Sequence, residues 1–425
     1  MTSLRTTLIR LVTTASVAAV ASLGLMAPAH AVPDPVCGDT LTASVVLTGD
    51  LNCDGSSGSA ALTAGADWIT INLNGFSIVN TGGFYSVIDI QSHTGVTVRN
   101  GTIGGVVANF QPTAPGASLI GVYVVGSSRV TLENLVITDT GVGGLGAKAV
   151  NGGGIAGVWV SDSSKVRLTN VESVRSDGNG ASISGSTDVS VSKSSFSKNF
   201  YAGMFIEGSS KVQINQSRFD ANGADGLVID GSNSVQVNRS SMSHNGFKRL
   251  DGASAPRAAN GIDGGSGVAV NNSDAIRIYR GVANANYGNG VSASPSLEAG
   301  VATSSPSFQP PVTSVQIDKS NLSYNGGNGF YSKYMGFRIT ETTLVDNSGN
   351  GLYSTGSPTF VIRKVRATLN DLSGIAVADN TAGAQAYLIE YTVSNTNDGD
   401  GFDVANPVTA RKNSAAGNGS SNVLP

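Results

Sequence analysis

The chain has 425 residues, 55 of them glycine, with 26 basic against 29 acidic side chains and only two cysteines. A formal net charge of −3, with no basic block, lacks the electrostatic footprint of a nucleic-acid binder and excludes that partner class. Only 13% of residues are charged, so composition alone reads as a flexible, low-complexity chain, and periodicity has to decide otherwise.

The first 31 residues carry Arg5 and Arg10, an apolar run from Leu11 to Met26 and the small-x-small site Ala29-His30-Ala31. This pattern predicts a signal peptide over residues 1–31 and export of the rest. The apolar run falls short of the ~20 residues that a spanning helix needs, so no membrane span is expected. Removing Arg5 and Arg10 with the leader takes the formal charge from −3 to −5. Cys37 and Cys53 follow in a cap over residues 32–59, and in an exported protein such a pair reads as a disulfide before a metal half-site.

Residues 60–410 are repetitive. "GASISGSTDVSVSKSSF" starts at Gly180, "GMFIEGSSKVQINQSRF" at Gly203 and "GLVIDGSNSVQVNRSSM" at Gly226, each 23 residues after the last. The unit also begins at Gly121, Gly157, Gly267, Gly290, Gly329, Gly351 and Gly374, with degenerate versions near Ala60 and Val87. Within a unit Met204 and Ile206 alternate with Phe205 and Glu207, Val212 and Ile214 alternate with Gln213, and Phe219 stands alone. Period two means strand, so each unit predicts three short strands joined by Ser, Gly and Asn corners. Stacked units then form a single all-β parallel β-helix with strands ~4.8 Å apart along its axis. Four residues before a repeat glycine stand Asn199, Asn222, Asn286, Asn325, Asn347 and Asn370, with Ser176 in the same place, a column able to hydrogen-bond to itself. The last residues, 411–425, read as a disordered Gly/Ser/Asn tail.

With the cap "CGDTLTASVVLTGDLNCDG" and the following "ADWITINLNGFSI", these repeats resemble secreted bacterial right-handed parallel β-helix proteins of the pectate-lyase-like superfamily over most of residues 37–410. The resemblance implies a right-handed solenoid. It does not imply one activity, because the superfamily spans lyases, hydrolases, esterases, epimerases and non-catalytic adhesins. Its catalytic signatures do not transfer: there is no Asp-Asp pair or Gly-His-Gly, no Asp-Pro-His-Asp and no Arg-x-Pro-x-x-Arg. Beyond His30 in the leader only His93 and His244 remain, and both read as corner residues.

Three insertions point to one sheet. Extra residues precede the first strand of the units at Gly157 and Gly267 and follow that of the unit at Gly290, and long loops on one face of a solenoid commonly mark its binding side. Outward on that strand stand Tyr123, Trp159 and Phe205, expected as platforms for sugar rings unless loops cover them. Glu207 and Asp230 are expected on adjacent coils, where two carboxylates would share a proton, hold a cation such as calcium, or engage a base; solvated charge is the competing reading. Lys248, Arg249 and Arg257 in the second insertion could neutralise that pair or bind an acidic sugar. The expected partner is an extracellular polysaccharide, processed by lyase or epimerase chemistry if the protein is catalytic, with a non-enzymatic surface or matrix rod as the alternative. Nothing in the sequence sets the oligomeric state.

Overall fold

A computed structural model describes residues 34–54, 57–81, 83–105, 107–108, 120–143, 156–246, 265–295, 315–378, 387–405 and 408–420. The leader and the insertion carrying Lys248, Arg249 and Arg257 lie outside the described residues. Among those described, every regular element is a strand, and no helix is long and apolar enough to cross a membrane.

The first side of the coil builds a fourteen-stranded parallel sheet running from Asp39–Leu41 to Phe402–Val404. Its register follows the repeat: Met204, Phe205, Ile206 and Glu207 lie opposite Leu227, Val228, Ile229 and Asp230. Alternation sorts the side chains, since Met204 and Ile206 are fully buried while Glu207 is exposed. The insertions leave this register intact, with Val122 opposite Val158, Leu227 opposite Val268 and Val291 opposite Phe330.

A second side stacks short strands such as Gln213–Asn215 on Gln236–Asn238. The third side is less regular than expected. It forms a separate sheet at Thr343–Val345, Arg366–Thr368 and Val393–Asn395, and in the middle coils it shrinks to single bridges such as Arg218 to Ser241. Nearer the N-terminus it merges with the second side into eight-residue strands, Thr131–Thr138 and Arg167–Val174. The lone apolar residue of this side still points inward. Phe196 stacks on Phe219 at 5.7 Å, continuing the interior file from coil to coil.

The repeat glycine is explained by close approach. A Cβ on Gly203 would sit 2.6 Å from the Gly226 carbonyl oxygen and 2.7 Å from Asn222 Nδ2, so any side chain would force the coils apart. The asparagine column beside it forms as expected. Asn199 donates from its backbone N–H to Asn222 Oδ1 at 3.0 Å and from Nδ2 at 3.2 Å, and Asn222 repeats both bonds to Asn245. The ladder is longer than the spacing to glycine revealed. It includes Asn245, whose following glycine is displaced by an insertion, and it ends through Asn397 on Asn418. Serines do similar work at the first corner, where each backbone N–H from Ser127 through Ser163, Ser186, Ser209 and Ser232 meets the next serine hydroxyl.

At the N-terminal end Cys37 and Cys53 form the disulfide, with Cα atoms 5.6 Å apart. Closing so short a loop stabilises the cap by roughly 3 kcal/mol on chain entropy. At the other end, residues 411–420 correct the expectation of a disordered tail. Arg411 completes the strand Thr409–Arg411, Ser414 bridges Val393, and Gly419 donates to the Asn397 carbonyl. Its polar composition hid an asparagine that caps the ladder, because Asn418 both accepts from Asn397 and donates to the Ser394 carbonyl at 3.0 Å.

Candidate functional site

The outward face of the first sheet collects most of the residues singled out by sequence. Tyr123 lies opposite Trp159, and Trp159, Ser182, Phe205 and Val228 follow one another in a single row. Tyr123 and Trp159 are half-buried. Phe205 differs from expectation as a free platform, because it packs on a small outer cluster of Ala202, Val228 and Ala269. Further along the row Tyr331 and Tyr353 stack at 5.9 Å.

Extending the row the other way reveals what sequence reasoning missed. Asp89 lies opposite Tyr123 and is only 4% exposed. Its Oδ2 accepts a hydrogen bond from Gln91 Nε2 at 2.7 Å, while its Oδ1 has no partner among the described residues. Tyr85 approaches Tyr123 edge-on at 5.6 Å. Burial pushes the Asp89 carboxyl up from the usual carboxylate range, against a smaller opposing effect of Gln91. Burial, reinforced by the nearby negative charge, also raises both tyrosine hydroxyls. A buried carboxylate oxygen without a partner is costly to maintain, so this corner of the sheet has hydrogen-bonding capacity unused within the fold. The degenerate repeat at Val87 was the available signal: it replaces an aromatic position by aspartate.

Glu207 and Asp230 are brought together as expected, at paired positions on adjacent strands and therefore ~4.8 Å apart along the axis. Glu207 is exposed and Asp230 half-buried. Burial raises the Asp230 carboxyl, offset in part by the Asn272 amide at 3.5 Å and the Gly231 N–H. For a cation, two carboxylates supply at most about four oxygens where calcium takes six to eight. No group of three His, Cys, Asp or Glu converges among the described residues. The two histidines do lie at corners: His93 meets Asp67 Oδ1 at 3.0 Å, and His244 is exposed.

A second missed carboxylate flanks the sheet. One position before the repeat glycine, Asn289, Asn328 and Asn350 form a short amide ladder, and Asp225 occupies the same row. It accepts from Gly265 N–H at 3.1 Å and Ser266 N–H at 2.7 Å, pinning the chain where the second insertion returns to the sheet. Burial raises its pKa from 3.8 to about 6, with the backbone N–H groups acting the other way. Because the folded pKa lies above the unfolded one, this group's contribution is complete below pH 3.8 and is lost as pH rises through about 6. Asp225→Asn keeps an acceptor and removes the charge. The stability difference between wild type and this variant should therefore move against wild type by roughly 3 kcal/mol between pH 4 and pH 8. Denaturant titrations at both pH values check this, and a pH-independent difference would show that Asp225 is not the titrating group.

Comparison with known proteins bears on the fold. No match is found among curated proteins. Solved structures with similar backbones include a mutant of the periplasmic alginate epimerase AlgG, at 11% identity over 91% of this chain and 81% of that one, with a TM-score of 0.47. The mannuronan C-5 epimerase AlgE4 A-module of Azotobacter vinelandii is similar at 14% identity over 91% and 89% of the two chains, with a TM-score of 0.42. Pectate lyase Pel9A is similar at 14% identity over 73% and 70%, also with a TM-score of 0.42. Residues 85–304 match the family described as "Right handed beta helix region". That match spans more than half of the chain, including the coils that carry Asp89, Tyr123, Trp159, Glu207 and Asp230, and the protein thus belongs to the right-handed β-helix family.

Proposed function

We propose that the outward face of the first sheet binds an extended polysaccharide outside the cytoplasm. The observation that carries this reading is the row of Asp89, Tyr123 and Trp159 on three successive coils, in which a carboxylate with an oxygen unpartnered among the described residues lies beside Tyr123 and Tyr123 lies beside Trp159. Sugar rings present apolar C–H faces to aromatic rings and hydroxyls to a carboxylate, so one strand-wise row can hold both features of one chain. The disulfide supports an oxidising compartment. Glu207 and Asp230 extend the polar part of the surface, and a cation held there would draw its remaining ligands from water or glycan.

Lyase or epimerase chemistry is the finer form of the proposal. Both begin by removing the C5 proton of a uronic acid, and they diverge in whether the C4–O bond then breaks or the proton returns to the opposite face. Lys248, Arg249 and Arg257 are the candidate bases. A non-enzymatic rod is the second reading, favoured by the flat middle of the row, where Ser182, Val228, Ala269 and Ser292 are all buried.

Binding to a panel of acidic and neutral polysaccharides tests the proposal, with products assayed for new unsaturated ends and changed uronate composition. Trp159→Ala should weaken binding by about 1 kcal/mol or more, as removal of an aromatic anchor usually does. Asp89→Asn should also weaken it while leaving the fold intact. Wild-type affinity in both variants, or no binding to any member of the panel, would transfer the case to the rod.

A further inference from the structure

The corner between the second and third sides, which the first sheet does not border, carries a ridge of cations. Arg239, Arg280, Lys319, Glu341, Lys364, Tyr391 and Lys412 occupy one column. The backbone N–H of each residue up to Tyr391 donates to the carbonyl just before its successor, as in Arg239 to Tyr279 and Arg280 to Asp318. Their backbones share a left-handed conformation, with φ of 49° at Arg239, 53° at Arg280, 51° at Lys319, 52° at Lys364 and 51° at Lys412. Repetition of one backbone conformation directs these side chains off the same edge, and all of them are exposed.

Two outward rows of the second sheet border the ridge. One runs Gln236, Arg277, Gln316, Arg338, and the other runs Tyr279, Asp318, Thr340, Arg363, Glu390, Arg411. From Arg239 to Lys412 the column and its borders thus hold nine cations against three acids. Each acid is already engaged: Asp318 by Arg277 at 3.7 Å, Glu341 by Lys319 at 3.7 Å and Lys364 at 3.5 Å, and Glu390 by Arg363 at 2.8 Å. Arg239, Arg280, Arg338, Arg411 and Lys412 have no ion pair among the described residues. On a chain of net charge −3, this is a local reversal of sign.

The cations are also held in place. Arg277, Arg280 and Lys319 surround the Tyr279 ring at 5.5, 5.2 and 6.0 Å, and Arg363 and Lys412 lie over Tyr391 at 6.0 and 5.4 Å. Such contacts reduce the freedom these long side chains would lose on meeting an anion. Seven coils at ~4.8 Å per step make a ridge about 29 Å long. A polymer of head-to-tail pyranose rings advances by nearly one coil per ring, so every second or third carboxylate of a polyuronate would face the cationic edge, in step with the coils.

We propose that this ridge is a second binding surface, for an anionic polysaccharide with one carboxylate per sugar, separate from the sheet that carries Asp89 and Trp159. Guanidinium groups suit carboxylates through paired N–H donors, and arginines supply four of the five cations without an ion pair on the ridge and its borders. The surface would anchor the protein to its polymer whatever the first sheet does.

The test uses polygalacturonate, an uncharged polysaccharide of similar length, and polyphosphate as probes. In the variant Arg239→Gln, Arg280→Gln, Lys412→Gln, affinity for polygalacturonate should fall about tenfold or more at low salt, and the slope of log affinity against log salt should flatten. All three substitutions are exposed, so the thermal midpoint should not change. Trp159→Ala should leave that slope as in wild type, which separates the ridge from the sheet: loss of sheet binding alone leaves the ridge proposal standing. An unchanged slope and affinity in the triple variant would overturn the ridge. Equal affinity for polyphosphate at matched charge would overturn its assignment to uronates.

Discussion

Ile206→Asp should destabilise the protein by at least about 4 kcal/mol, the largest single effect expected in the solenoid. Ile206 is fully buried and lies between Ile183 and Ile229 in a file of inward apolar side chains. A carboxylate there has no partner and no water, and the coils above and below cannot move apart without breaking the ladders on both sides. Glu207→Ala, one position on, removes an exposed side chain and should change stability by no more than about 0.5 kcal/mol. Urea denaturation of both variants checks the contrast. Equal losses would mean that the strand is slipped by one residue, because such a slip exchanges the two faces.

Asn222→Ala should cost roughly 3–4 kcal/mol, from a polar side chain rather than an apolar one. Asn222 is wholly buried. Its Oδ1 receives the Asn199 N–H and Nδ2, and its own Nδ2 donates to the Phe196 carbonyl at 3.1 Å and Asn245 Oδ1 at 3.1 Å. Truncation leaves two buried donors without acceptors, each worth about 1–3 kcal/mol. Asn222→Asp keeps the acceptor and loses the donor, so it should be more damaging at pH 8 than at pH 4, where a protonated carboxyl can again donate. As a control, Asn238→Ala, whose amide meets Asn215 Oδ1 at 3.1 Å on the partly buried second side, should cost no more than about 1 kcal/mol. A loss below 1 kcal/mol at Asn222 would show that the column is a by-product of corner geometry and not a structural support.

The two candidate binding surfaces differ in how far sequence could reach them. Tyr123 and Trp159 stand two residues after the repeat glycine and Glu207 and Asp230 four, both outward positions of one strand, so their placement on one face follows from counting. Asp89 sits in a degenerate repeat, and its significance depends on burial and on an oxygen left without a partner, neither of which a residue string records. The cationic ridge was hidden for another reason. Arg239, Arg280 and Lys319 are 41 and 39 residues apart because insertions interrupt the period, so no run of basic residues appears in the chain.

By itself the sequence determined the class of fold, the inward residues of each coil, the amide ladder and the disulfide, because a 23-residue period with strict alternation leaves one way to bury Met204, Ile206, Val212, Ile214 and Phe219 together. Only the tertiary structure decided which polar groups the stack leaves unsatisfied, that Phe205 leans on an outer cluster, and that residues 411–420 close the ladder. Local pattern sets which way a side chain points. What it meets there depends on the neighbouring coil, which can be 20 to 40 residues away in sequence, and that contact separates Asp89 and Asp225 from the other acids of the chain.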